Sequence, residues 1–83
     1  MTQIIEIKNN TFWEYDVNKA IDDFEAVYGV KPHMIIGRNF IELFTASDNW
    51  INEPIDKSEG IIAKYEGISC EYDPDMSCII LKV

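Results

Sequence analysis

Eighty-three residues with 47% hydrophobic and 12% aromatic content make residues 1–83 one compact domain and exclude a wholly disordered chain. Fifteen acidic residues against seven Lys and Arg give a formal net charge of −8. That sign repels phosphate backbones, so direct nucleic-acid or anionic-membrane binding is not expected.

The stretch Met1-Thr2-Gln3-Ile4-Ile5-Glu6 lacks a basic leader. No apolar run nears the roughly 20 residues of a membrane helix, so the expected location is the cytoplasm. Residues 2–8 predict a strand, with β-branched Ile4, Ile5 and Ile7 set against Glu6 and Lys8. Asn9-Asn10 ends it. Thr11-Phe12-Trp13-Glu14 has the form of a capping box, with Thr11 as N-cap and Glu14 reaching back to it. Trp13, Val17, Ala20, Ile21, Phe24, Val27 and Tyr28 then recur at spacings of three and four, one apolar stripe on a long helix. Gly29 supplies the left-handed C-terminal residue, and Pro32 follows.

His33 to Gly37 predicts a short buried strand. Asn39-Phe40-Ile41-Glu42, with a cap at Asn39 and a Glu three residues on, opens a shorter helix that buries Phe40, Leu43 and Phe44 and ends near Ala46-Ser47. Asp48 to Ser58 is the least regular stretch and reads as a functional loop. Gly60 to Tyr65 is a strand, Glu66-Gly67 a bulge or tight turn, and Ile68 to Tyr72 a further strand. Asp73-Pro74-Asp75 is turn chemistry before a last strand, Ser77 to Val83. If these last two strands form a hairpin with a three-residue loop, Cys70 lies opposite Cys78 and Ile68 opposite Ile80; a two-residue loop moves the register by one.

The expected fold is therefore α+β. A small mixed sheet of about five strands carries one long and one short helix on one face, in the order β-α-β-α-β-β-β. The first two strands run parallel if they are adjacent.

Catalysis has little to work with. His33 is the only histidine and reads as a structural residue at a strand start. Glu71, Asp73 and Asp75 approach a turn together, but the glycine and glutamate of a calcium loop do not fall in place behind them. The four glycines are widely separated and form no phosphate cradle. Cys70 and Cys78 are too few for a zinc site and read as small apolar residues. No catalytic, cofactor-binding or metal-binding residue is expected.

The surface offers more. Glu14, Asp16, Asp22, Asp23 and Glu25 lie off the helix stripe over roughly 16 Å, about half the charge density of duplex DNA. Trp50 and Ile51 are large apolar groups bracketed by Asp48, Asn49, Asn52 and Glu53. Either Trp50 folds back to cap the core, or it joins Phe12 in an exposed patch for another protein or a second copy. The partner-binding candidates are Trp50, Ile51, Phe12, Asp16, Asp22, Asp23 and Glu25.

Tyr28-Gly29-Val30-Lys31-Pro32-His33-Met34-Ile35-Ile36 is followed by Phe40-Ile41-Glu42-Leu43-Phe44, then by Tyr65-Glu66-Gly67-Ile68-Ser69-Cys70, an Asp-bearing turn and a final strand. Over residues 28–83 this order resembles the peripheral-domain segment of tailed-phage major capsid proteins and small prophage-encoded relatives. The arm, extended loop and spine helix of a capsid subunit have no counterpart here. The resemblance implies a phage or mobile-element origin and a non-enzymatic role, and it carries over no functional residues.

The expected function is that of a small acidic protein-binding domain, not an enzyme and without a cofactor. It would act through the acidic helix face and the aromatic loop on another protein, one with a basic surface. The alternative is a DNA-mimic inhibitor of a nucleic-acid-binding host defence enzyme, of the anti-restriction or anti-CRISPR class.

Overall fold

The computed structural model describes residues 2–8, 10–56 and 60–83, with 53–56 as strand backbone only. In chain order the elements are β1 (Thr2–Ile5), a 3-10 turn (Asn10–Phe12), α1 (Trp13–Tyr28), β2 (His33–Gly37), α2 (Ile41–Thr45), β3 (Trp50–Asp56), β4 (Ile61–Tyr65), β5 (Ile68–Asp73) and β6 (Ile79–Lys82). The strands form one mixed sheet in the order β1-β6-β2-β5-β4-β3. The fold is α+β, as expected. Among the described residues no helix is long and apolar enough to cross a membrane.

The sheet has six strands and not about five. The additional one is β3, which occupies most of the stretch expected to be a loop. It pairs antiparallel with β4 through Trp50↔Tyr65, Ile51↔Lys64 and Asn52↔Ala63, and its register shifts between Asn52 and Asp56. As an edge strand it can carry Asn, Glu and Pro, residues that a central strand excludes. Those same residues disguise it as a loop in the sequence. Lys57 and Ser58, the end of the expected loop, lie outside the described residues, as does Asn9.

The expected terminal hairpin does not form. β2 lies between β5 and β6, so Met34 pairs in parallel with Cys70 and antiparallel with Leu81. Cys70 therefore does not face Cys78, and Ile80 pairs with Ile35 and Ile4 instead of Ile68. Both cysteines are free thiols. β1 and β2 run in the same direction but are separated by β6. Turn chemistry at Asp73-Pro74-Asp75 fixes a reversal of the chain; it does not say what lies between the two arms.

What lies there is the end of β2, under the 74–78 connection. The Gly37 N–H donates to the Cys78 carbonyl at 2.7 Å, and the Arg38 N–H donates to the Met76 carbonyl at 2.9 Å. The turn itself is held by the Asp73 carboxylate, which accepts from the Asp75 N–H at 2.9 Å. By contrast the β4–β5 reversal is the tight turn expected. Tyr65 pairs with Ile68 across Glu66 (φ 48°) and Gly67 (φ 81°), the two positive dihedrals that a type I′ hairpin requires.

Neither helix start follows the expected caps. The N-cap of α1 is Phe12, whose side chain has no acceptor to offer, and Glu14 is used elsewhere. For α2 the N-cap is Phe40 and not Asn39. The C-terminal end of α1 does follow the sequence: Gly29 adopts φ 74° and its N–H donates to the Glu25 carbonyl at 2.8 Å. The buried stripe of α1 comprises Trp13, Val17, Ile21 and Phe24 and stops before Val27, which is 73% exposed. Against it pack Ile5, Met34, Ile36, Ile68, Cys70, Ile79 and Leu81 from one face of the sheet.

Gly37 is where the topology is most sensitive. A Cβ there would stand 2.4 Å from the Cys78 carbonyl oxygen and 2.8 Å from both the Cys78 nitrogen and the Met76 oxygen, all backbone atoms. Gly37→Ala should destabilise the domain by about 3 kcal/mol, the upper end for overpacking because no flexible side chain can yield. Urea unfolding measures it; a loss within the scatter of ordinary surface substitutions would show that the crossing is looser than described.

Candidate interaction surface

One end of the core is aromatic. Trp13 meets Phe44 edge-on at 4.6 Å between ring centroids, Phe44 meets Tyr65 at 5.1 Å, and Trp50 approaches Phe44 at 6.0 Å. Such offset geometries are the favoured ones for quadrupolar rings. A polar knot closes this end. Glu14 Oε1 accepts from the Ser47 hydroxyl, from Asn49 Nδ2 at 3.2 Å and from the Tyr65 hydroxyl at 3.1 Å. It ties the first turn of α1 to the segment after α2 and to the end of β4.

The knot decides the state of its members. Led by the Ser47 hydroxyl, the donors hold the Glu14 carboxyl below its ordinary value, against the upward pull of partial desolvation. Tyr65 is driven well above the usual phenol range, first by burial and then by Glu14, so it remains a donor. Burial likewise pushes the Cys70 thiol up to about 12, and its Sγ–H donates to the Ile68 carbonyl at 3.3 Å. Cys70 is an inert core residue.

Trp50 belongs to this cluster. It is half-buried and its indole N–H donates to Asn52 Oδ1 at 2.9 Å. Its neighbour Ile51 is 63% exposed on the opposite side of β3. Phe12, at the start of α1, is also 63% exposed. The helix acids are divided as well. Asp22 and Asp23 are exposed, Glu25 is half-buried, and half-buried Asp16 accepts the Lys8 backbone N–H at 3.4 Å. With Glu14 drawn into the knot and Lys19 lining the same groove as Asp16 and Asp23, the helix face is less uniformly negative than its sequence.

The sheet face away from the helices is the surface that sequence reasoning missed. One cross-strand row runs Ile4, Ile80, Ile35, Glu71 and Ile61. The row beside it runs Thr2, Lys82 and His33, and on the far side of β5 pairs Ser69 with Lys64 and Lys64 with Ile51. Ile35, Ile80 and Ile61 are half-buried and Ile4 is 62% exposed, and none of the four belongs to the core cluster. His33 Nε2 lies 2.9 Å from Glu71 Oε2, and Lys82 Nζ lies 3.9 Å from the same oxygen. Ile4, Ile80 and Ile35 therefore form an outward-facing apolar stretch, bordered by Glu71, His33 and Lys82, with Ile61 beyond Glu71.

A signal for this face was in the chain: Ile4-Ile5, Ile35-Ile36, Ile61-Ile62 and Ile79-Ile80 are consecutive pairs. Successive strand residues point to opposite faces, so a doubled isoleucine makes both faces apolar. Helices cover only one of them.

Among the described residues no group of three or more His, Cys, Asp or Glu side chains is placed to hold a metal ion. The Glu14 knot makes a pH prediction. A carboxylate with a lowered folded-state pKa contributes stability that is fully present above its unfolded value and is lost as pH falls through the folded one. Glu14→Gln should cost about 1–2 kcal/mol at neutral pH, the low end for bonds to a charged group because the site is partly solvated. The cost should shrink once the medium is acid enough to protonate Glu14. Denaturant midpoints at neutral and acid pH read this out; an identical cost at both would mean that the ionised carboxylate is not what the knot stabilises.

No family model matches the chain, and neither a curated protein nor a solved structure matches it.

Proposed function

We propose that this chain is a non-enzymatic protein-binding domain whose contact surface is the helix-free face of its sheet. The observation that carries the reading is the row Ile4, Ile80, Ile35 and Ile61, which no element of the described chain covers. Apolar centres with charged rims are the usual anatomy of protein contacts. The aromatic contribution expected from Trp50 passes to the aliphatic row and to Ile51, because the Trp50 ring is engaged with Phe44. Removing a half-exposed isoleucine from water gains on the order of 1 kcal/mol, so the row supplies only a few kcal/mol. Association costs at least that much. The charged rim must therefore contribute to any lasting complex.

The second reading, an acidic surface that imitates nucleic acid, keeps Asp22, Asp23 and Glu25 but loses Glu14 to the knot. The two readings separate by salt and by substitution. With the domain immobilised in a cell lysate, a partner of the sheet face should survive high salt and be lost on Ile35→Thr with Ile80→Thr, which keep the β-branch. It should be indifferent to Asp22→Asn with Asp23→Asn. The reverse pattern would transfer the activity to the helix face and sink the sheet-face reading.

A further inference from the structure

At one end of the open face the start of β2, the end of β6 and the β4–β5 turn enclose a recess of about 300 Å³. Its polar side chains are Lys31, His33, Ser69 and Lys82; no Asp or Glu lines it, and Val30, Pro32, Gly67 and Val83, the last residue of the sequence, complete the wall. In a chain with fifteen acids and seven Lys and Arg, this concentration of cations is against the composition. We infer that the recess is an oxyanion site, taking a carboxylate or phosphate group. The inference deepens the reading of the open face, because an anion seated there would be the polar anchor of whatever covers the isoleucine row.

Each donor has a reason to be available. Glu71 lies outside the recess and accepts the Nε2–H of His33 at 2.9 Å, which holds the imidazole in place, so the donors left for an anion are those of Lys31, Lys82 and Ser69. Lys82 Nζ stands 3.9 Å from the same carboxylate oxygen, too far for a hydrogen bond, so its donors are not consumed. Lys31 makes no ion pair among the described residues. It stands between two environments: this recess and a neighbouring one lined by Asp22, Glu25 and Glu66. Its Nζ lies only 3.8 Å from where a Cβ on Gly67 would be, which places the ammonium over the turn at the recess mouth. Ser69 adds a hydroxyl, and Gly67 presents backbone with no side chain in the way. Two flexible ammonium groups with a hydroxyl suit a compact oxyanion, which needs charge from several directions more than a fixed fork.

The test is a pair of NMR titrations of the intact domain at low ionic strength, one with inorganic phosphate and one with glutarate as the carboxylate probe. Saturable amide shifts are expected at Lys31, His33, 67–69 and Lys82, with millimolar affinity that falls as sodium chloride is added. Each of Lys31→Ala and Lys82→Ala should weaken binding by up to about fivefold, and the double variant by about tenfold or more. Saturation by either probe supports the site, and which probe binds more tightly tells a phosphate from a carboxylate ligand. Shifts that never saturate, that spread to Lys19, or that persist in the double variant would mean an adventitious ion only. Ile35→Thr with Ile80→Thr should leave the titrations unchanged, so the recess and the contact face can fail separately.

Discussion

The architecture depends on threading β2 between two strands that the sequence places next to each other. A tight connection from β5 to β6 would ordinarily give a hairpin, the cheapest way to pair two antiparallel strands. Here the connection is lifted over the end of β2 and takes its hydrogen bonds from Gly37 and Arg38. The crossing works because Gly37 has no side chain where three backbone atoms converge. Everything central follows from it. β2 gains a partner on each edge, Met34 and Ile36 become fully buried, and α1 finds a continuous floor for Val17, Ile21 and Phe24.

The sheet so formed has two different faces. One is covered by the helix layer and closed at its aromatic end by Glu14, Ser47, Asn49 and Tyr65. The other carries isoleucines with Lys82, His33, Lys64 and Glu71 and no helix. Asp22 and Asp23 are exposed on the helix side, beside Lys19, while His33, Lys64 and Lys82 share the other side with Glu71, a placement that the net value of −8 does not show. A molecule with such a distribution repels polyanions at long range and still offers an oxyanion a short-range berth. Orientation, not average charge, decides what it meets.

Local signals in the chain were legible and non-local ones were not. The α1 stripe as far as Phe24, the Gly29 terminus and the Glu66-Gly67 turn are governed by neighbours within a few residues, and the structure has them where the sequence puts them; Val27 and Tyr28, at the end of the expected stripe, are exposed. The capping box failed because Glu14 has a better set of donors in Ser47, Asn49 and Tyr65, which lie far along the chain. β3 was hidden because an edge strand tolerates polar residues and proline. The split of β5 from β6 was invisible for a deeper reason: turn residues encode a reversal, and only the register of Met34 with both Cys70 and Leu81 shows that a strand intervenes. On the candidate surface, the polar residues around Ile51 mark it as a candidate in the sequence, whereas Ile4, Ile35, Ile61 and Ile80 read only as strand residues, because a doubled isoleucine does not tell which face of the sheet stays uncovered.

The position of β6 has a kinetic consequence. It is the last strand of the described chain, yet it lies second in the sheet, bonded to β1 on one side and β2 on the other. While the chain is being synthesised, the β3-β4-β5 meander can assemble from near neighbours, but β1 and β2 have nothing to join them until residues 79–82 emerge. Closure is then a single late event that brings together segments from opposite ends of the chain, the kind of step that loop entropy makes slow. Until it happens, α1 has an incomplete floor and two strands carry bare hydrogen-bonding edges. A polypeptide stopped a few residues short of Ile79 would be a different substance, a sticky half-sheet instead of a slightly smaller domain.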